Sequence, residues 1–318
     1  MGRVLVVGSL NMDLVVEVDE MPKIGQTIKG KSLEYIPGGK GANQAYAAAK
    51  LGAGVFMIGA VGNDANSSVL LRNLESAGVD TTGISIADRE TTGIAFVLVN
   101  KQGDNQIIII SGANSKVLPG MIDEKSYLVE NCDIVLMQLE IPLETVIYTA
   151  DLAKKHNKVV ILNPAPAQDS LPGKLLENVD ILTPNETELE MLTGDKISGL
   201  DLGPGPGLNL EGVVLSARKL IRQGVKNVIV TLGKHGAVLV TEDGFVHKKS
   251  YDVGTVVDTT AAGDCFSAAL AVACLKNQPL EQSMEFANMA ASISVTRKGA
   301  QPSLPSLAEV EEALAALK

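Results

Sequence analysis

Ile134-Val135-Leu136-Met137-Gln138-Leu139 is followed by the helix-like stretch Leu143 to His156 and then by Lys158-Val159-Val160-Ile161-Leu162. The outer pieces are short, aliphatic and β-branched, with the length of buried strands. The middle piece is long enough for a helix of several turns. Strand, helix and strand in direct succession predict a parallel sheet with helices on both faces. The same rhythm runs outward in both directions. Upstream, Val4–Val7 reads as a first buried strand, Asn43–Leu51 as an Ala-rich helix stopped by Gly52, Val55–Ile58 as a strand and Asp64–Ala77 as a helix closed by Gly78. Downstream come the strand Ile181–Leu182, the helix Val213–Gln223, the strand Val228–Leu232, and the helices Ala261–Leu275 and Glu281–Val295. Ser306 with Glu309 predicts a capping box for the last helix.

Two segments break the rhythm. Leu14–Val18 with Tyr35–Ile36, and Ile94–Val99 with Ile107–Ile110, flank turn-forming residues and predict a small separate sheet over the main one. Ile107–Ile110 is apolar on both faces, so one face is expected to cover a ligand and the other to meet a partner subunit. The chain is expected to form one domain, 1–318, with lid strands inserted within about 12–36 and 93–111. Gly203-Pro204-Gly205-Pro206-Gly207 is not read as a phosphate loop, because proline lacks an N–H; it reads as a surface insertion.

Composition narrows the function. The 318 residues carry 27 Lys+Arg against 37 Asp+Glu, a net charge of −10, which argues against a nucleic-acid binder that must neutralise phosphates. Aromatics are 3% with no Trp, so the core is aliphatic and stacking platforms for single strands are not expected. Cys132, Cys265 and Cys274 fit neither a disulfide framework nor a zinc cluster and suit a reducing cytoplasm. The chain runs directly into Val4–Val7, so no secretory leader is expected, and no apolar run has the length of a membrane span.

Several stretches carry chemistry. Gly38-Gly39-Lys40-Gly41-Ala42-Asn43 opens an Ala-rich helix; its glycines would let a ligand approach the backbone, and Lys40 and Asn43 offer donors. Asn11 and Asp13, in a loop at the end of the first strand, suit vicinal hydroxyls. Asp258-Thr259-Thr260-Ala261-Ala262-Gly263-Asp264 leads into an apolar helix. Its small residues leave the N–H groups of Ala261, Ala262, Gly263 and Asp264 free for an anion, and Asp264 is positioned to accept a proton from an alcohol. Thr183-Pro184-Asn185-Glu186-Thr187-Glu188 could hold Mg²⁺ through water. Thr231–Gly236 ends a strand in a glycine turn suited to a nucleotide. No Gly-x-Gly-x-x-Gly follows the first strand, which excludes a nicotinamide-dependent oxidoreductase.

Taken in order, these stretches resemble the ribokinase family of sugar kinases, also called the PfkB family. The likeness runs through residues 8–13, 38–45, 137–140, 163–167, 183–188, 258–264 and 295–303. It implies a ribokinase-like three-layer α/β/α fold with a mostly parallel sheet and a small β-sheet lid. It implies ATP-dependent phosphorylation of D-ribose at O5, with another small sugar (deoxyribose, a ketohexose) or a nucleoside as the alternative. By resemblance, Asp264 stands at the catalytic base and Gly263, Ala262 and Ala261 at the anion hole. Asn11, Asp13, Gly39, Lys40, Asn43 and Glu140 stand at sugar positions. Asn185, Thr231, Gly233, Gly236 and Asn288 stand at nucleotide positions, with Glu188 organising Mg²⁺. Asp258, Thr260, Ser294, Arg297, Gly299 and Ser303 match a loop that binds K⁺ as a monovalent activator, largely through carbonyls. The lid implies a homodimer. Departures are an apparent insertion around 197–212, Asn288 where many relatives carry His, and Ser294 in place of a small apolar residue. A sensor without catalysis on the same fold would not need Asp264.

Overall fold

The computed structural model describes residues 2–197 and 210–317. In chain order its strands are β1 (Arg3–Val7), β2 (Asn11–Glu17), β3 (Ser32–Gly38), β4 (Gly54–Gly62), β5 (Val79–Asp80), β6 (Ile84–Ala87), β7 (Gly93–Val99), β8 (Asn105–Ile110), β9 (Ile134–Met137), β10 (Val159–Leu162), β11 (Ile181–Leu182), β12 (Asn227–Thr231), β13 (Ala237–Val240) and β14 (Phe245–Lys248). The large sheet runs β14-β13-β12-β11-β10-β9-β1-β4-β5, with β6 paired to β4. Pairing is parallel until β13 and β14, which turn back as antiparallel strands. The deciding stretch folds as expected: β9 and β10 pair in parallel, Ile134 opposite Val159, joined by the helix Leu143–Lys155.

Alternate residues of the buried strands feed opposite cores. Val4 and Val6 pack with the helices Lys40–Lys50, Ala262–Cys274 and Leu280–Ser294. Leu5 and Val7 pack with Leu143–Lys155 and Glu211–Arg222. Helix starts follow local chemistry: Asp64 accepts from Ser67 N at 3.0 Å, and Ser306 with Glu309 forms the expected capping box.

The small sheet has the order β3-β2-β7-β8. Its register separates two faces. Asp13 lies opposite Ile36 and Ala95, and Ala95 opposite Ile109. One residue on, Leu14 lies opposite Tyr35 and Phe96, and Phe96 opposite Ile108. The row that holds Asp13 faces a cleft, where its other members Ile36, Ala95 and Ile109 are apolar; the other row is apolar throughout, with Ile108 60% exposed.

Four expectations need correction. Asn11 and Asp13 do not sit in a loop: they belong to β2, because the chain enters the small sheet three residues after β1 ends. The helix expected from Asn43 begins at Lys40. The strand expected over Val55–Ile58 runs on to Gly62, because Gly59–Gly62 pairs with β6 and glycine hides that segment from an apolar pattern. β13 and β14 extend the large sheet beyond the parallel strands anticipated. The Gly203–Gly207 loop and most of 197–212 lie outside the described residues. No helix among the described residues is long and apolar enough to cross a membrane. Burial pushes the Cys132 and Cys265 thiols up to about 12, and that of Cys274 to about 11, so none is a nucleophile near neutrality.

Candidate active site

A cleft of about 480 Å³ lies between the small sheet and the carboxyl end of the large one. Asn11, Asp13, Gly39, Lys40, Asn43, Glu140, Ala261 and Asp264 all line it. The glycines of residues 38–41 also have a use that the sequence reading did not include. A Cβ on Gly39 would lie 2.6 Å from Asn11 N, and one on Gly41 2.5 Å from Ser9 N. What approaches here is the chain's own segment 8–11. That approach lets Glu140 Oε2 accept from Lys40 N at 3.1 Å and from Ser9 Oγ at 2.5 Å. It thereby ties β9's end to the helix start. Asn11 Oδ1 accepts from the buried Asn114 Nδ2 at 2.7 Å, which leaves the Asn11 amide hydrogens for a ligand.

Charge is concentrated in the cleft. Burial pushes the Asp13 carboxyl up to about 7, and the nearby Glu140 and Asp264 carboxylates add to it. Burial works to lower Lys40, yet Asp264, Glu140 and Glu188 together hold its ammonium above the usual range. Asp264 Oδ2 accepts from Asn43 Nδ2 at 2.9 Å and Oδ1 from Gln44 Nε2 at 3.0 Å. Around it, the helix Ala262–Cys274 begins after Ala261, whose φ of 59° turns the backbone sharply. The four free N–H groups read in sequence reduce to three. Ala262 N donates to Thr259 O at 3.2 Å, whereas Ala261, Gly263 and Asp264 have no such partner. A Cβ on Gly263 would meet nothing within 4 Å, so the open side of this helix start is free for an anion.

A second group gathers at the ends of β11 and β12. Asn185 bridges to Thr231, Gly233 and Gly236 have φ of 51° and 89°, and a Cβ on Gly236 would lie 2.1 Å from Lys248 O. Asn288 is 4% exposed and donates to Lys248 O and Lys249 O at 3.1 and 3.3 Å. It braces the end of β14 and presents no face for stacking. Glu188 caps its own helix, its Oε2 accepting from Asn185 N at 2.9 Å. Burial raises its carboxyl, while the Asn185 N–H and the Lys40 ammonium work to lower it.

The third group clamps two loops together. Asp258 Oδ1 accepts from Thr260 N and Oγ1 at 2.9 and 2.7 Å, and Oδ2 from Gly299 N at 2.8 Å. Burial works to raise Asp258, but these donors outweigh it and hold the carboxyl below its ordinary range. The other side chains are spoken for locally: Ser294 Oγ on Ala291 O, Ser303 Oγ on Ala300 O, and Arg297 on Glu309. Only backbone carbonyls of these residues are left for a cation, and among the described residues no cluster of three His, Cys, Asp or Glu could hold a metal.

Residues 1–307 match the model of the pfkB family carbohydrate kinases. The chain belongs to this family. Within it, the carbohydrate kinase is 39% identical to the deoxyribokinase of Salmonella typhi over 311 residues, 98% of each chain. It is 39% identical to the ribokinase of Haemophilus influenzae over 309 residues, 97% of each chain. Its fold matches the structure of Arabidopsis thaliana ribokinase complexed with ribose and ATP, with a TM-score of 0.90, 38% identity and 98% of each chain covered.

Five further polar residues of this kinase hold the site together without a sequence motif that marks their role: Gln44, Gln138, Asn163 and Gln301 lie inside stretches that carry the family likeness, and Asn114 lies outside them. Their signal was present: Gln44 sits on a small-residue helix face with Ala45, Ala47 and Ala48, where an amide must find partners.

Proposed function

We propose that this carbohydrate kinase transfers the γ-phosphoryl group of ATP to O5 of D-ribose, giving D-ribose 5-phosphate and ADP. The observation that carries the reading is one carboxylate, Asp264, gripped by two amides beside three unpartnered N–H groups at a helix start. A proton acceptor next to an anion hole is what phosphoryl transfer to an alcohol needs. The sugar lies under the small sheet. Asp13 and Glu140 accept from its hydroxyls; Asn11, Lys40 and Asn43 donate, with Gly39 close by. Asp264 takes the O5 proton as the phosphoryl group arrives in line. The N–H groups of Ala261, Gly263 and Asp264 receive its oxygens. ATP runs along Asn185, Thr231, Gly233, Gly236 and the segment braced by Asn288.

Mg²⁺, when bound, neutralises triphosphate charge, and Glu188 would hold it through water. K⁺, when bound, supplies a fixed cation that orders the anion-hole loop. Carbonyls from 258–260 and from the Ser294–Ser303 segment would hold it, with Asp258 clamping the two. The Leu14, Tyr35, Phe96 and Ile108 face suits a homodimer through the lid, and the three unpaired thiols suit the cytoplasm. We read the two sheets as one domain with a lid.

Ribose is supported by the relatives named ribokinase, one of them solved with ribose and ATP. Deoxyribose is the second reading, supported by the deoxyribokinase relative at the same identity. Coupled ADP release over ribose, 2-deoxyribose, ketohexoses and nucleosides separates them. Highest kcat/KM on ribose, with the phosphate on O5 by NMR, is the expected result. No ADP release with any sugar would overturn the kinase reading.

A further inference from the structure

Both oxygens of the Asp264 carboxylate are held by neighbours in sequence. Asn43 donates to Oδ2 at 2.9 Å and Gln44 to Oδ1 at 3.0 Å. Each donor is itself held. Gln44 Oε1 accepts from Gln138 Nε2 at 2.5 Å, and Asn43 Oδ1 accepts from Gln301 Nε2 at 3.1 Å. Gln301 Oε1 accepts in turn from Asn73 Nδ2. Gln44 and Gln138 have no exposed surface at all, and Gln301 has 2%.

We propose that Gln44 is a positioning residue for phosphoryl transfer, with Gln138 fixing Gln44. The argument rests on Asp264 being the base of the kinase reaction. An amide is polar end to end, and its two ends are not interchangeable here. The ionised carboxylate accepts only, so Gln44 must turn its N–H₂ toward it. The Gln44 carbonyl oxygen then points at Gln138, which must donate. Reversing either amide would set two oxygens, or two N–H groups, against each other in a buried site, at the cost of unmet hydrogen bonds. The carboxylate charge therefore sets the direction of the whole chain of amides.

Two consequences follow for the chemistry. Donors on both oxygens fix the plane of the carboxylate, so the lone pairs left over face the cleft, where a hydroxyl would lie. An N–H donated to a carboxylate interacts more strongly with its ionised than with its protonated form, so removing one donor moves proton uptake to higher pH; Asp13, Lys40 and Glu188 are the other charged groups that act on Asp264. The proton taken from the alcohol cannot settle on the lone pairs that face Asn43 and Gln44. It has to sit on the cleft side, from which it is readily lost.

The test compares wild type, Gln44→Met and Gln138→Met by ribose-dependent ADP release across pH, with sugar KM and thermal unfolding measured alongside. Methionine keeps the length and removes the amide. For Gln44→Met the expected fall in kcat is about tenfold to a hundredfold, as for loss of a hydrogen bond to a charged group. The acidic limb of the kcat profile should move to higher pH, and sugar KM should change little. Gln138→Met should shift both in the same direction but less, because Gln44 then remains but is free to turn. A Gln44→Met protein whose acidic limb stays in place, whatever its kcat, would overturn the proposal and make the amides packing only. If that variant does not fold, an unmoved limb in Gln138→Met overturns it equally. An active wild type with unaltered variants leaves the kinase reading intact; a wild type inactive on every sugar removes both.

Discussion

Asp13 and Asp264 are carboxylates of one cleft with opposite surroundings. Asp264 has an amide donor on each oxygen, so its carboxylate is held in one plane and aimed. Replacing it with Asn keeps the shape but removes proton acceptance. We expect kcat of Asp264→Asn to fall about 10²–10⁴-fold, while sugar binding by calorimetry persists. Asp13 has burial and two like charges instead, which set its carboxyl near 7 against an ordinary 3.8. Between those values the folded chain keeps a proton that the unfolded chain has released. Its contribution to stability is therefore fully present below 3.8 and lost as pH rises through about 7. An Asp13→Asn variant should unfold at the wild-type temperature in acid and above it beyond pH 7, with sugar kcat/KM reduced throughout. Equal melting temperatures on both sides of pH 7 would contradict this assignment. The residue types of the site were legible in sequence only through several stretches taken in order, because Asn and Asp beside glycine are singly ordinary turn formers. The difference between two aspartates was not, because it depends on neighbours far away in the chain.

At the scale of elements, two contacts decide whether the site assembles. The helix Lys40–Lys50 starts so close to the segment 8–11 that a Cβ on Gly41 would stand 2.5 Å from Ser9 N and 2.6 Å from Gly8 C. Both obstacles are backbone, so neither can swing aside. Gly41→Ala should cost about 1–3 kcal/mol in chemical denaturation, and sugar KM should rise as Lys40 and Glu140 separate. The second contact is the Asp258 clamp between Thr260 and Gly299. Asp258→Asn cannot accept all three donors, so the loop before Ala261 should loosen. ADP formation titrated with KCl or NaCl at constant ionic strength should show activation by K⁺ over Na⁺ in wild type and a weakened response in the variant. Equal wild-type rates with and without K⁺ would remove the cation site while leaving the kinase intact. Helix caps and the strand–helix alternation were readable in advance, since they follow from local residue order. Gly41's use against the chain's own backbone was not, because a ligand and a backbone segment make the same demand on a glycine.

For the whole molecule, the small sheet presents two faces, and the homodimer proposed above would use the outer one. The pleat sends Ile107 and Ile109 into the cleft and leaves Ile108 in a row with Phe96, Leu14 and Tyr35. Ile108→Asp should shift sedimentation toward monomer with a smaller change in sugar KM. Ile109→Asp should raise sugar KM while leaving the assembly in place. If Ile108→Asp sediments as wild type, the outward row is not the dimer face.

The layered, mostly parallel fold and the presence of a separate small sheet could be read from residue order alone, as could the stretches that the structure brings to one cleft. Each of these rests on local information: residue order, periodicity and the special geometry of glycine and capping residues. Folding in three dimensions was needed to see that the small sheet starts as early as Asn11, that Ala262's N–H is already used, and that Asn288 braces a strand. The same holds for Gln44, which bonds Asp264, and for Gln138 and Gln301, which hold its two amide donors. Hydrogen-bond partners more than 90 residues apart, such as Gln138 with Gln44, 94 residues along the chain, are set by which strand end meets which helix start. No short-range pattern in the chain encodes that meeting.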